Sequence, residues 1–262
     1  MNYKLRKHGF SLTEVLMAAV ILAVGLVMIA GTFPVGIFLT AGSVEQTIAP
    51  IVADEAIAKM QLYGVNVGGL TTTACVDFNS INVLAAAGNR IDPNEYLYPS
   101  INTLTDRVYN WSAICRRVNP NLNDRLVQVT VFVSRKTGAS LKYYQYDNVG
   151  NTITTNGGWP TPVRFNVITT NGSPILKVTF DAVTNGAQQK FITDGCTIVA
   201  DAGGNNVYRV LDHYKDAVGT DIAVVLDKNW ESGVSAAAWI VPPPTSGGRS
   251  PCIGVYQRII KF

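Results

Sequence analysis

The sequence predicts an α+β protein in which a long N-terminal helix precedes an antiparallel, β-rich head. Residues 10–39 are almost entirely apolar, whereas the chain after Leu70 is rich in β-branched residues and in Asn and Gly turn clusters. Long apolar stretches form helices, and short alternating runs separated by turns form antiparallel sheets. With 47% hydrophobic and 15% charged residues, the 262-residue chain has the composition of a folded protein.

The first helix is predicted over residues 10–64, with a transmembrane segment at about residues 10–39. An apolar helix of about 20 residues crosses a hydrocarbon core of about 30 Å. Pro34 removes a helical hydrogen bond, so a kink or local melting is expected near this residue. An amphipathic continuation follows, in which Pro50 should introduce a bend. Its apolar positions are Val44, Ile48, Ile51, Val52, Ile57 and Met60.

The rest of the chain is divided into a β head at residues 65–187 and a second small β-module at residues 188–262. The clearest strand is RLVQVTVFVSRK, residues 125–136, whose alternating valines indicate a strand buried on one face. An Asn-Gly pair at residues 171–172 lies between two apolar runs and predicts a β-hairpin. The last strand, residues 253–262, is expected to return to the head.

Residues 1–9 form a short basic leader in front of the apolar run. The leader contains Lys4, Arg6 and Lys7, and the rest of the chain has 18 basic and 18 acidic residues. Basic residues beside a transmembrane helix favour the cytoplasmic side, so the N-terminus is predicted to be cytoplasmic and the head extracytoplasmic. Because the charge outside the leader balances, no binding to nucleic acid is expected.

Glu14 is the one acidic residue within the apolar run. An ionised carboxylate inside a membrane-spanning helix is costly unless another group pairs with it, and such residues are functional by default. Glu14 is therefore expected to have a functional partner, which the rest of the N-terminal stretch has to supply.

The stretch KHGFSLTEVLMAAVILAVGL, residues 7–26, resembles the processing site of type IV pilins and type II secretion pseudopilins. In that superfamily a prepilin peptidase cuts after a Gly, the new N-terminal residue is N-methylated, and a Glu stands fifth in the mature chain. Gly9, Phe10 and Glu14 match these positions. The resemblance implies that Gly9 and Phe10 form the processing site. It also implies that Phe10 and Glu14 act in subunit assembly, where the ammonium of one subunit meets the carboxylate of another.

The same resemblance implies a structural subunit with no enzymatic activity and no cofactor. It would be a single-pass protein of the inner membrane and then part of a periplasmic or extracellular filament, with other pilin-like subunits and the prepilin peptidase as partners. Residues 21–37 are similar to the minor pilin V and pseudopilin I branch, which favours a minor or initiating subunit. Two alternatives are a major pilin that forms a homopolymeric filament and a membrane-anchored surface binding or adhesion module.

Four cysteines follow the apolar run, on the predicted extracytoplasmic side, where disulfides persist. They are candidates for one or two disulfides, and three connectivities are open if all four pair. Buried thiols are the alternative interpretation. The four residues are Cys75, Cys115, Cys196 and Cys252.

The sequence offers little for catalysis or for a metal site, and no enzyme is predicted. His213 is the only histidine after the leader, which excludes a His-rich metal site. The pair Asp212-His213 lies in a strand-like run without a nucleophile motif. Two turn-rich stretches carry oxygen atoms that could bind Ca²⁺, although turn chemistry explains both and is preferred. Their residues are Asp92, Asn94 and Glu95 in the first, and Asp201, Asn205 and Asn206 in the second.

Several aromatic residues of the head allow two interpretations. They could form an adhesive aromatic face, or they could pack within the sheets and form cross-strand pairs. Packing is preferred, because aromatic side chains stabilise sheets in this way. The residues are Trp111, Tyr143, Tyr144, Tyr146, Trp159 and Trp239.

Overall fold

The computed structural model describes most of the chain. The described residues are 9–83, 91–100, 107–136, 138, 140–147, 152–156, 158–169, 172–179, 187–201, 206–215, 221–233 and 235–262. They belong to two compact units, Met1–Thr47 and Ile48–Phe262. The first unit holds the apolar part of the long helix, and the second holds the end of that helix and all described strands. The predicted α+β class is confirmed.

The helices are α1 (Leu12–Tyr63) and α2 (Phe78–Ile81). The first strands are β1 (Val76–Asp77), β2 (Leu97–Tyr98), β3 (Tyr109–Arg117), β4 (Leu126–Arg135), β5 (Tyr143–Asp147), β6 (Thr152–Asn156) and β7 (Val163–Thr169). The later strands are β8 (Ile175–Val178), β9 (Thr197–Ala200), β10 (Val207–Lys215), β11 (Ile222–Leu226), β12 (Ser235–Ile240) and β13 (Cys252–Lys261). Short 3-10 turns connect several of them.

Helix α1 contains 52 residues and is not interrupted at Pro34 or at Pro50. The expectation of local melting near Pro34 was therefore wrong. A proline removes one bond from the helical ladder, and a long helix continues because the bonds on both sides remain. The helix ends where Gly64 adopts a left-handed φ of 71° and its N–H donates to the carbonyl of Met60 at 2.9 Å. This is the usual glycine termination of a helix.

The last four turns of α1 present a buried stripe to the sheet of the head. The spacing is that of one helix face, and half of the side chains are alanines, which allow the helix to approach the sheet closely. Ile51, one of the apolar positions of the predicted amphipathic continuation, is 50% exposed because it falls between the rows of this stripe. The buried residues are Ala49, Val52, Ala53, Ala56, Ile57 and Met60.

A five-stranded antiparallel sheet packs on this stripe. Its strands follow the order β1-β3-β4-β13, and β2 also pairs with β3. Alternate residues of β4, namely Val127, Val129, Val131 and Val133, join the buried residues of α1 in one core cluster. The predicted strand at residues 125–136 is thus confirmed as β4.

The prediction that β4 is buried on one face only was wrong. Thr130, Phe132 and Ser134, on the opposite face from the valines, are also fully buried. The reason is a second β layer. Phe132 and Ile114 of the sheet share a core cluster with Trp239, which belongs to that layer.

The second layer is a closed antiparallel barrel of six strands in the order β10-β11-β8-β7-β12-β9. Side chains of β7 alternate strictly between buried and exposed, as expected for a strand whose one face fills a barrel. Strands β7 and β8 pair from Ile168↔Lys177, with Gly172 at a φ of 79° in the turn. The predicted hairpin is confirmed, although Asn171 itself lies outside the described residues.

A buried carboxylate connects the barrel to the sheet. Asp201, at the end of β9, is 3% exposed. Its Oδ1 accepts hydrogen bonds from the backbone N–H of Cys75 and from Nε1 of Trp239, both at 2.8 Å. Its Oδ2 accepts from Nε and Nη2 of Arg164 at 3.1 and 2.8 Å. One carboxylate therefore satisfies donors from both β layers.

The last strand returns to the first sheet, as the sequence predicted. Strand β13 pairs with β4 from Cys252↔Ser134 to Lys261↔Leu126, and the N–H of Arg135 donates to the carbonyl of Pro251 at 2.9 Å. The chain leaves the sheet at the end of β4 and re-enters it beside that point, at the start of β13. The whole barrel lies between these two strands in the sequence. In the sequence, strands β7 and β8 of the barrel precede the boundary suggested at residues 187/188, and strands β9 to β12 follow it.

Candidate processing and assembly site

Gly9 and Phe10 lie in an exposed stretch without regular secondary structure immediately before α1. The side chain of Phe10 is 87% exposed. A Cβ added at Gly9 would meet no atom within 4 Å, and no left-handed φ is found there. Nothing among the described residues therefore requires a glycine at position 9. A requirement for glycine would then come from a molecule that acts on this stretch.

Glu14 closes a capping box at the start of α1. The helix begins at Leu12, so Ser11 is the N-cap residue and Glu14 is the third residue of the helix. Oε2 of Glu14 accepts hydrogen bonds from the N–H of Ser11 at 3.0 Å and from its hydroxyl at 3.1 Å. In return, the N–H of Glu14 donates to Oγ of Ser11 at 3.3 Å. This reciprocal pattern satisfies backbone donors that a helix start leaves unpaired.

The capping box gives Glu14 a local partner that the sequence interpretation had not considered. The sequence itself contains the pattern of a capping box, which is a Ser followed three positions later by a Glu in front of an apolar run. All hydrogen bonds found to this carboxylate in the described part of the chain go to Oε2. The structure thus pairs Glu14 with Ser11. Gly9 and Phe10 are exposed and take no part in this capping box.

The first part of α1 is an exposed apolar surface. Large side chains point outward around the whole helix, among them Leu16, Ile21, Val27 and Phe33, each more than half exposed. Among the described residues, α1 is the one helix that is long and apolar enough to cross a membrane. A helix that is hydrophobic on all sides is stable only in lipid or against other apolar surfaces.

Together, these features define a class of protein: a subunit with an N-terminal membrane-spanning helix, a Gly-Phe pair at the helix start and a β-rich head. Residues 4–30 match the prokaryotic N-terminal methylation motif. This motif is the prepilin-type signature of type IV pilins and pseudopilins, and it indicates a structural subunit that prepilin peptidase processes and that assembles with other pilin-like subunits. No curated protein and no solved structure was found to be similar to the chain.

All four cysteines lie in the described part of the chain and are thiols. Cys75 directly precedes Val76, which pairs with Cys115 in the sheet, so the two cysteine side chains lie on opposite faces. Cys115 belongs to the core under α1, and Cys75 belongs to the cluster next to the barrel. Burial raises the pKa of Cys196 to about 11 and of Cys252 to about 12, which keeps both thiols protonated and unreactive at neutral pH.

The oxygen-rich turns that could have held Ca²⁺ use their oxygens in other ways. Asp92 accepts from the N–H of Asn94 at 2.9 Å and caps a 3-10 turn. Glu95 forms an ion pair of 3.0 Å with Lys59 of α1. Asp201 accepts the four hydrogen bonds from Cys75, Trp239 and Arg164 at the barrel junction, and Asn205 lies outside the described residues. Among the described residues, no group of three His, Cys, Asp or Glu is arranged to hold a metal ion.

The pair Asp212-His213 is also a surface feature. Nδ1 of His213 contacts Oδ1 of Asp194 at 2.6 Å, while Asp212 accepts from the backbone N–H of His213. Both contacts are exposed.

The aromatic residues mostly pack, as the sequence interpretation preferred. Trp111 and Tyr143 are almost fully buried, and Tyr144 and Trp239 are less than a tenth exposed. Trp159 is the exception, since it is only partly buried. The side chain of Tyr146 lies outside the described set.

Proposed function

We propose that the chain is a minor or initiating subunit of a type IV pilus or type II secretion pseudopilus, cut after Gly9 and methylated on Phe10. The match of residues 4–30 to the methylation motif carries this proposal. The open surroundings of Gly9 and the exposed position of Phe10 support it, because a peptidase needs an accessible, extended segment. Lys4, Arg6 and Lys7 support a cytoplasmic N-terminus before processing.

The exposed apolar part of α1 has two successive environments in this proposal. Lipid covers it while the subunit waits in the membrane, and helices of neighbouring subunits cover it in the filament. Gly25, Gly31 and Gly36 have no neighbouring atom within 4 Å where a Cβ would stand. Glycines weaken a helix by about 1 kcal/mol each. Their presence here favours close approach of another helix, as small residues do in membrane bundles.

Glu14 has one partner before assembly and a second one afterwards in the proposed mechanism. Cleavage after Gly9 leaves Ser11 in place, so the capping box survives processing. Oε1 of Glu14 remains available for the ammonium of Phe10 in a neighbouring subunit. Burial of such a pair between helices favours one register, because a shifted neighbour would leave a charge without its partner.

The size of the head supports a minor rather than a major role. The barrel adds a second β layer to the sheet that covers α1, and it enlarges the volume that identical neighbours in a filament would have to accommodate. The alternatives are a major pilin that polymerises alone and a membrane-anchored binding module.

The test is co-expression of the full chain with a prepilin peptidase and a filament assembly system, followed by intact mass and electron microscopy. The proposal expects loss of the first nine residues and methylation of Phe10. It also expects filaments only when other pilin-like subunits are present. Long filaments of this chain alone would support the major role, and an uncut chain would contradict the proposal as a whole.

A further inference from the structure

The head contains a cavity of about 520 Å³ next to the helix-packed sheet. Its walls come from the β1–α2 junction, the 3-10 turn Pro93–Tyr96, β3, β5 and the segment 159–161. This volume falls within the range of pockets that hold small ligands, about 300–1,000 Å³. All residues that line it belong to the unit Ile48–Phe262, and nothing in the proposed function uses it.

The polar lining of this cavity consists mainly of amides and hydroxyls. Asn110, Ser112 and Gln145 contribute to it, together with Asp77, the one carboxylate among the described lining residues. No Lys, Arg or His is found among the described residues that line it. Among the described lining side chains, a ligand with a phosphate or carboxylate would meet the like charge of Asp77 and no opposite charge. A neutral ligand with several hydroxyls would find both donors and acceptors.

Two of these polar groups are buried without a hydrogen-bond partner in the described part of the chain. Asn110 is 2% exposed, and its Nδ2 donates to the carbonyl of Pro160 at 2.9 Å, which fixes the amide and leaves Oδ1 unpaired. Ser112 is 4% exposed, and its Oγ is also unpaired. A buried polar atom without a partner costs about 1–3 kcal/mol, so such atoms require an explanation. Both atoms are covered in this structure, so a bound molecule with hydroxyl groups supplies the missing partners when the wall shifts to expose them.

Aromatic rings form another part of the wall. Tyr96 and Trp111 pack against each other with ring centroids 4.8 Å apart, and Nε1 of Trp111 donates to the carbonyl of Glu95. These two rings are held by the core. Trp159 is only partly buried and contributes its side chain to the wall.

We propose that this cavity binds a neutral carbohydrate, with a sugar ring on Trp159 and its hydroxyls bonded to Asn110, Ser112 and Gln145. The C–H groups on one face of a pyranose ring pack on an aromatic face, and the hydroxyls at its edge act as donors and acceptors at once. Amide, hydroxyl and aromatic side chains around one cavity match both properties.

A cationic ligand fits these observations less well. Nζ of Lys136 already lies 5.2 Å from the centroid of the Trp159 ring. A second cation at the same ring would be repelled by this ammonium group. An ammonium also has no acceptor to offer to the hydroxyl of Ser112 or to the amide N–H groups of the lining.

The experiment uses the full-length chain in a polyoxyethylene detergent, because detergents with sugar headgroups would compete. The probes are the methyl glycosides of glucose, galactose, mannose and N-acetylglucosamine, with spermidine and inorganic phosphate as charged comparisons. Saturation-transfer NMR and tryptophan fluorescence measure binding. Gln145→Ala removes a polar contact, Trp159→Leu removes the ring, and Gln61→Ala is the matched control on the exposed surface of α1, outside the cavity. Thermal unfolding of each variant shows that it is folded.

The proposal expects saturable binding of at least one glycoside. It expects Gln145→Ala to weaken this binding by about three- to tenfold, the effect of one hydrogen bond. Trp159→Leu should weaken it by about tenfold or more, and Gln61→Ala should leave it unchanged. The proposal is overturned if no glycoside binds at millimolar concentration, or if only spermidine or phosphate binds. Equal binding by the wild type, Gln145→Ala and Trp159→Leu would also overturn it.

Discussion

The backbone N–H of Cys75 donates a 2.8 Å hydrogen bond to the carboxylate of Asp201, a residue 126 positions further along the chain. The thiol of Cys75 also approaches the carbonyl of Asp201, with 3.6 Å between sulfur and oxygen. Cys75 enters the sheet that packs on α1, and Asp201 leaves strand β9 of the barrel. Trp239 and Arg164 bind the same carboxylate from the barrel side. The contact between the two β layers is therefore polar at its centre and apolar around it.

Replacement of Asp201 is predicted to weaken the whole head. Asp201→Ala leaves the N–H of Cys75 and the indole N–H of Trp239 buried without acceptors, at about 1–3 kcal/mol each. We expect a loss of about 3 kcal/mol in the free energy of unfolding. Asp201→Asn should lose less, because its amide oxygen can still accept both bonds. Chemical denaturation of the full chain in detergent, followed by tryptophan fluorescence, measures both variants.

Asp54→Ala is the matched control for this prediction. Asp54 pairs with Arg258 at 3.2 Å, but both side chains are more than half exposed. Exposed ion pairs contribute about 0–1 kcal/mol, so the control should unfold almost like the wild type. Equal stability of Asp201→Ala and Asp54→Ala would show that the junction does not depend on the carboxylate.

The stability of the head is predicted to fall as the pH rises from about 4 to about 6. Burial raises the pKa of Asp77 to about 6, against about 3.9 in the unfolded chain. Between these values the folded state binds more protons than the unfolded state, so the free energy of unfolding decreases with pH and levels off above pH 6. Asp77→Asn keeps the cap of α2, because Asn is an equally good N-cap residue, and should be more stable by about 2 kcal/mol at pH 7.

Denaturation curves at a series of pH values between 4 and 8 measure the effect of Asp77. Asp92→Asn is the control, since Asp92 caps the 3-10 turn in the same way at an exposed position. The prediction would be wrong if Asp77→Asn kept the slope of the wild type between pH 4 and 6.

Gly9→Val is predicted to block processing without a change in the fold. The position is open, because a Cβ added there meets no atom of the described residues within 4 Å. A β-branched residue should not fit where a peptidase accepts only a glycine. Intact mass after co-expression with the peptidase should show a precursor of full length. Gly25→Val, at an equally open position inside α1, should be cut normally. A mature mass for Gly9→Val would contradict the proposed cleavage position.

Glu14→Ala is predicted to permit membrane insertion and cleavage but to impair filament incorporation. Loss of one member of a buried charge pair costs about 3–5 kcal/mol, because the other charge is left without a partner. Glu14→Gln should fall between this variant and the wild type. The measurement is the ratio of processed subunit in sheared filaments to processed subunit in the membrane.

Ser11→Ala separates this assembly role from the capping role of Glu14. It removes the N-cap hydroxyl, at a cost of about 1 kcal/mol of helix stability, and leaves the carboxylate intact. If Glu14 acts only as a cap, Ser11→Ala and Glu14→Ala should be equally impaired and Glu14→Gln should behave like the wild type. If Glu14 pairs with an ammonium, Ser11→Ala should assemble nearly normally.

Local patterns predicted the parts of this structure that depend on neighbours in sequence. The apolar run predicted α1, the Asn-Gly pair predicted the β7–β8 hairpin, and the alternating valines predicted β4 and one of its buried faces. The capping box of Ser11 and Glu14 was equally local and was missed because only a distant partner for Glu14 was sought.

The parts that depend on distant contacts could not be predicted in the same way. Thr130 and Ser134 are polar, and nothing near them in the sequence indicates that a barrel covers them. The buried alanines of α1 are weakly hydrophobic, so they stand out less than the exposed Ile51. The cavity next to β3 is formed by five separate segments, and its polar residues have no common spacing.

The connection between β4 and β13 has a consequence for the way this head can be varied. The N–H of Arg135 bonds to the carbonyl of Pro251, so the chain leaves the sheet and returns to it one strand spacing away, about 4.8 Å. Topologically, the barrel occupies the position of a hairpin loop. Insertions at such a position are tolerated when the ends of the inserted domain lie close together. Another domain with equally close ends is therefore expected to fit between β4 and β13 while these two strands remain paired.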